Sequence, residues 1–157
     1  MPEVQIRAAA PGDIPGMARL WQEKTVVQQQ TDRRYRLAPD AEARWSQAVA
    51  AWLDDAHVAV FVAERQSELV GYVVVRSQAS PPGLLPEQVG VVVDMAVGLH
   101  SNQNGLGRQL WDAARTWFTA QGLTRVLAQV PRHVPVEQAF WRAMGAVDAV
   151  DVLWMKL

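Results

Sequence analysis

A chain of 157 residues is the size of one ordinary domain and is long enough to bury a core. Half of it is hydrophobic, and 15 basic residues stand against 16 acidic ones for a net charge of −1, which argues against electrostatic capture of nucleic acid or an anionic membrane. It contains no cysteine, so disulfides, thiolate nucleophiles and cysteine metal sites are excluded.

His57, His100 and His133 lie too far apart in sequence to show ligand spacing, so no metal site is expected. The opening "MPEVQIRAAAPGD" has no apolar core of signal-peptide type, and no apolar run approaches the ~20 residues that span a bilayer. A cytoplasmic protein is the expectation.

Residues 4–8, "VQIRA", alternate and suit a first strand. "PGDIPGMARLWQE" opens a helix that Asp13 can cap and in whose first turn Pro15 is tolerated. Met17, Leu20 and Trp21 share one face of it. Polar residues 28–40 read as a loop or frayed helix end, after which Asp40 can cap a second helix with the apolar stripe Trp45, Val49, Trp52 and Leu53. Two strands, 57–64 and 68–77, are joined by so short a link that an antiparallel hairpin follows. Residues 78–88, with three prolines and a glycine, form a loop. "VGVVVDMAVG" (89–98) does not alternate and reads as a strand buried on both faces.

The helix after "SNQNGLG" offers Leu106, Leu110, Trp111, Ala114, Trp117 and Phe118 to a core and stops at Gly122. A strand over 124–130, a short helix over 135–144 ended by Gly145, and a closing strand in "VDAVDVLWMKL" complete the chain. Residues 1–157 are expected to form a single α/β domain, a mixed central sheet of about six strands flanked by about four helices.

Gly105 and Gly107 sit at a strand-to-helix turn. Either they only serve packing, Gly105 supplying a positive φ and Gly107 a close approach, or they shape an anion site. The dinucleotide fingerprint fails because Leu110 stands where its third glycine belongs, and the Walker loop fails for want of Gly-Lys-Ser/Thr. What remains is a generic anion site at a helix N-terminus, with Arg108 as its one nearby positive charge.

With this arrangement in hand, the chain resembles the GNAT superfamily of acetyl-CoA-dependent N-acetyltransferases. The likeness rests on "DMAVGLHSNQNGLGRQL", which matches a central strand, a polar turn and [Gln/Arg]-x-x-Gly-x-[Gly/Ala] opening a helix. "IRAAAPGDIPGMARLW", "VAERQSELVGYVVV" and "AFWRAMGA" follow the family's opening strand and helix, its next two strands and its late helix, in order.

The resemblance implies that backbone amides of Asn102, Gln103, Asn104, Gly105, Leu106, Gly107 and Arg108 hold the pyrophosphate of CoA. It implies that the central strand bulges and splays, so that Met95, Ala96 and Val97 pair with pantetheine, and that an amide of this strand stabilises the developing oxyanion. The reaction is direct attack of a primary amine, of a small molecule or peptide, on the acetyl thioester. An amine of pKa ~10.4 must first lose a proton.

The family's usual strand glutamate corresponds to Gln129, which cannot act as a base. Asp94 is the sharper candidate, read either as the base or as a partly buried carboxylate paired with an arginine or capped by backbone; Glu87 comes next. The late helix carries Trp141 and Val134 where relatives have a tyrosine acid and an asparagine, and Trp141 is expected to pack against the sulfur end of the cofactor. Trp21, Tyr35 and Tyr72 are candidates for the acceptor pocket. The alternative reading is an acyl-CoA-binding module that kept the cradle and lost its acid–base set. With few residues after Gly145, an open sheet edge and a homodimer are also expected.

Overall fold

The computed structural model describes residues 2–101 and 105–157. Strands β1 (Gln5–Ala8), β2 (Val58–Arg65), β3 (Glu68–Ala79), β4 (Gln88–Val97) and β5 (Val126–Ala128) form one sheet in sequential order. β1 to β4 pair with one another antiparallel, and β5 runs parallel to β4. Helices α1 (Ile14–Thr31) and α2 (Ala41–Leu53) follow β1, α3 (Leu106–Ala120) makes the crossover from β4 to β5, and α4 (Pro135–Ala143) follows β5.

The sheet separates two cores because side chains alternate across it. On one side α1 and α2 bring Met17, Leu20, Trp45 and Val49 against Val62, Tyr72, Val74 and Ala96. On the other, Leu106, Leu110, Ala114 and Phe118 of α3 pack on Val73, Val75 and Val92. β3 is buried on both faces from Leu69 to Val75, which explains its unbroken apolar run. The ring of Phe118 lies over Gly90, where a Cβ would come within 2.5 Å of it.

The β2–β3 link is a two-residue turn in which both Gln66 (φ 50°) and Ser67 (φ 63°) adopt left-handed backbone. This suits the twist of the hairpin but strains residues that carry a Cβ. Replacing Gln66 and Ser67 by Asn-Gly is expected to raise stability by about 0.5–1 kcal/mol. A thermal melt checks this, and a lower melting temperature would show that the two side chains stabilise the turn.

Residues 28–40 divide between their two readings: α1 continues to Thr31, since its glutamines are good helix formers, and the rest is loop before α2. Two expectations are corrected. Asp13 does not cap α1. Its carboxylate turns back to accept the Ala10 N–H at 2.8 Å and two bonds from Arg7 at 2.7 and 2.9 Å. Residues 146–157 form no strand. β5 spans only three residues and offers little template, and Val147, Val150, Leu153, Trp154 and Met155 are exposed. Ion pairs Arg142–Asp148 and Arg132–Asp151 tie this segment to the body.

Candidate active site

The site is built on an imperfection of β4. β3 pairs along its whole length, whereas β5 pairs only with Gly90–Val92. Within the β3 ladder Val74 faces Asp94 and Val75 faces Val92, so Val93 is the extra residue of a bulge. A bulge sharpens twist and re-aims the residues after it, and from here β4 leaves β5. The Gly98 N–H donates to the Val70 carbonyl at 2.9 Å, which sets the phase of the antiparallel ladder. By its alternation the backbone of Ala96 is turned to Tyr72 on β3, and the N–H and C=O of Met95 and Val97 face the open edge. Of the three residues expected to pair with pantetheine, Met95 and Val97 therefore present backbone there and Ala96 does not.

At the bulge Asp94 gathers three donors. Its Oδ1 accepts from Lys24 Nζ at 2.8 Å and from the Met95 N–H at 2.9 Å, and its Oδ2 accepts from Tyr72 Oη at 2.8 Å. Lys24 Nζ also donates to the Met95 carbonyl at 2.8 Å. Both polar groups of Met95 on the open edge are thus held by side chains. Of the two readings of Asp94, the geometry is that of the held carboxylate, with a backbone amide as expected and a lysine in place of the expected arginine.

Charges around this pair act in opposition. Burial pulls the Lys24 ammonium down, but the carboxylates of Asp94 and Glu137 outweigh it, and its pKa ends above the ordinary lysine value. Burial is also the main cause that raises Glu137. Lys24 and a hydrogen bond from Gln28 oppose that rise, and Asp94 adds to it. The Tyr72 phenol, buried beside Asp94, is pushed well above its usual range and stays protonated as a donor.

Lys24 and Glu137 were not among the residues singled out from sequence. Lys24 carried a signal, because it lies four and three residues after Leu20 and Trp21 and so shares their coreward side. Glu137 carried none. Only folding sets it near Lys24, as α4 packs with Phe140, one turn further along, beside Gly107.

The glycine turn follows. Gly105 has φ +67°, the left-handed conformation in which a Cβ is penalised, and is the N-cap of α3. A Cβ on Gly107 would sit 3.0 Å from the Phe140 ring and 3.5 Å from the Met95 methyl. So Gly105 supplies a positive φ and Gly107 a close approach, and together they set the helix N-terminus beside the open edge of β4. The Leu106 side chain is buried, which leaves its backbone for binding, and Arg108 is exposed. Asn102, Gln103 and Asn104 lie outside the described residues.

Trp141 meets Trp111 edge-on at 5.3 Å and Phe140 at 5.0 Å, half-buried against the α3 core. The three aromatic candidates for the acceptor pocket are divided. Tyr72 is fully buried beneath Asp94 and walls no pocket; a phenol there is needed as a donor to the carboxylate. Trp21 is half-buried and stacks on Trp45 with ring centres 5.3 Å apart. Tyr35 is exposed, in the connection between α1 and α2. Among the described residues no cluster of His, Asp or Glu could hold a metal ion, and no helix is long and apolar enough to cross a membrane.

The fold has close structural counterparts. A mutant of the BH1408 protein from Bacillus halodurans superposes with a TM-score of 0.85 at 17% identity, covering 98% of this chain and 99% of that one. The aminoglycoside N-acetyltransferase AAC(6')-Iy, solved in complex with CoA, gives 0.76 at 17% identity, covering 100% and 96%. Ribosomal-protein-alanine N-acetyltransferase from Brucella melitensis biovar Abortus 2308 gives 0.70 at 18% identity, covering 99% of each chain. No curated protein matches the chain in sequence. The family model described as "Acetyltransferase (GNAT) family" matches residues 16–146. That span holds the bulged strand, its open edge and the glycine turn, and the chain belongs to the GNAT acetyltransferase family, whose acetyl donor is acetyl-CoA.

Proposed function

We propose that this chain transfers the acetyl group of acetyl-CoA to a primary amine of a small molecule or peptide, by direct attack of the amine on the thioester. The observation that carries the reading is the separation of β4 from β5 after Val92, which leaves the backbone of Val97 facing an open edge beside the N-terminus of α3, with that of Met95 held there by Asp94 and Lys24. An extended amide-bearing chain suits such an edge, and a diphosphate suits the unpaired N–H groups of a helix start. The group fits this turn, because among the described residues nothing lies within 4 Å of a Cβ position at Gly105 and the buried side chain of Leu106 leaves its backbone toward the opening.

Each part of the chain has a definite task in this reading. The start of α3 binds the anion, the β4 edge orients the acyl arm, and Phe140 and Trp141 close the groove against water. Asp94 positions Lys24 and Tyr72. Related folds act on an aminoglycoside and on a ribosomal protein's alanine, both amine acceptors, which supports N-acetylation and leaves the acceptor class broad.

Gly107→Val is expected to weaken acetyl-CoA binding by at least about tenfold, roughly 1.4 kcal/mol, in calorimetry. Unchanged affinity would move the cofactor away from α3, and no binding by the unaltered protein would overturn the reading.

A second reading has an observation of its own. Asp94 is saturated with donors, and neither Gln129 nor Trp141 can exchange a proton. That is what a non-catalytic acyl-CoA-binding module would show. Release of CoA measured against a panel of amines separates the two, since a module releases none faster with any amine. The outer edge of β5 and the exposed apolar residues of 146–157 support pairing between two copies of the chain. A sedimentation profile that stays monomeric at all concentrations would remove that pairing.

A further inference from the structure

Lysine is nearly missing from this protein. Of fifteen basic residues only Lys24 and Lys156 are lysines, and the rest are arginines, whose guanidinium stays charged and is no practical acyl acceptor. Lys156 lies in the exposed C-terminal segment. Lys24 is therefore the one side-chain amine of the folded body, and it stands at the open edge of β4 with Nζ 2.8 Å from the Met95 carbonyl.

The Met95 carbonyl and the Val97 N–H leave β4 on the same side, within one two-residue strand repeat of ~7 Å. The Met95 N–H is held by Asp94, so Val97 offers the next amide along that edge. An acetyl thioester carbonyl hydrogen-bonded at that edge would lie beside Nζ. Two of the three Nζ hydrogens are directed to Asp94 Oδ1 and the Met95 carbonyl, which leaves the third position for a lone pair once the ammonium is deprotonated.

We propose that Lys24 is itself an acetyl acceptor, so that the chain acetylates its own Nζ from an acetyl thioester bound along the open edge of β4. The proposal rests on the acetyl-transfer reading above. The ammonium loses its third hydrogen to solvent while the other two stay on Asp94 Oδ1 and the Met95 carbonyl, and the freed lone pair attacks the acetyl carbon. A C–N bond forms, the C–S bond breaks, and the electron pair leaves on the CoA sulfur. Of the two protons that nitrogen loses, one ends on the sulfur and one in solvent. The product amide carries no charge, so Asp94 loses its cationic partner.

The groups facing Nζ are Asp94 on β4, Glu137 on α4, Tyr35 in the α1–α2 connection and Gln28 one turn along α1, with Tyr72 behind Asp94. The carboxylates favour the ammonium, and only the neutral amine attacks, so the rate rises with pH.

The test is incubation of the full chain with acetyl-CoA deuterated in the acetyl group, followed by peptide mass spectrometry, with calorimetric binding of acetyl-CoA measured in parallel. The expected result is heavy acetyl on Lys24 accumulating more than about tenfold faster than on Lys156, at a first-order rate independent of protein concentration. Lys24→Arg keeps a cation on Asp94 and is expected to abolish that label and leave Lys156 unchanged. Binding without label at Lys24, or equal label on both lysines, overturns the proposal while leaving the acetyl-transfer reading standing. If acetyl-CoA does not bind, both fall.

Discussion

Asp94→Ala is expected to destabilise the fold by about 3 kcal/mol, the cost of removing one partner from a largely buried ion pair. The Lys24 and Asp94 side chains are 21% and 15% exposed, so solvent cannot replace the lost partner fully. The substitution leaves the Lys24 ammonium with the Met95 carbonyl as its hydrogen-bond partner and Glu137 as its nearby carboxylate. It also strands the Tyr72 hydroxyl, on a residue with no exposed surface, without its acceptor.

Asp94→Asn keeps an oxygen for Tyr72 and so should lose less. Urea denaturation of both variants reads the difference. A melting temperature unchanged in Asp94→Asn, with acetyl transfer reduced at least a hundredfold, would restore Asp94 as the base and remove it as an anchor. Stability unchanged in Asp94→Ala would show that the pair contributes nothing to the fold.

Phe118→Ala is expected to cost about 3–5 kcal/mol, the usual range for emptying a buried aromatic position. The ring is 2% exposed and covers Gly90, one of the three residues through which β4 still pairs with β5. Its removal therefore loosens the point where the two strands separate, and acetyl-CoA affinity should fall together with stability. Gly90→Ala tests the same contact from the other side. It forces a Cβ into the ring, at an overpacking cost of about 1–3 kcal/mol. Denaturant midpoints measure both, and a Phe118→Ala protein with full stability and full affinity would show that the separation of the strands is held elsewhere.

Most elements were legible because they follow local rules. The apolar runs of β3 and β4, the apolar stripes of α2 and α3 and the glycine stops at Gly122 and Gly145 each express a period or a backbone conformation that neighbouring residues determine. Where local rules misled, a partner distant in sequence had decided. Asp13 has the chemistry of a helix cap, but Arg7 and the Ala10 N–H take its carboxylate instead. The closing apolar segment has the pattern of a strand, but a strand exists only beside another, and β5 is too short to receive it.

The candidate site divides along the same line. Gly105 and Gly107 could be read from sequence because a positive φ and a close approach are properties of glycine itself. Asp94 could be noticed as a lone carboxylate in an apolar strand, but its role could not be chosen. Lys24 lies 70 residues away in sequence and Tyr72 22, and only the packing of α1 on the sheet closes the three into one hydrogen-bonded group. Periodicity and glycine placement settle what a segment is. The ionic and hydrogen-bonded partners of a side chain depend on which surfaces meet, which is why the backbone half of this site was written in its sequence and the side-chain half arose only in the folded chain.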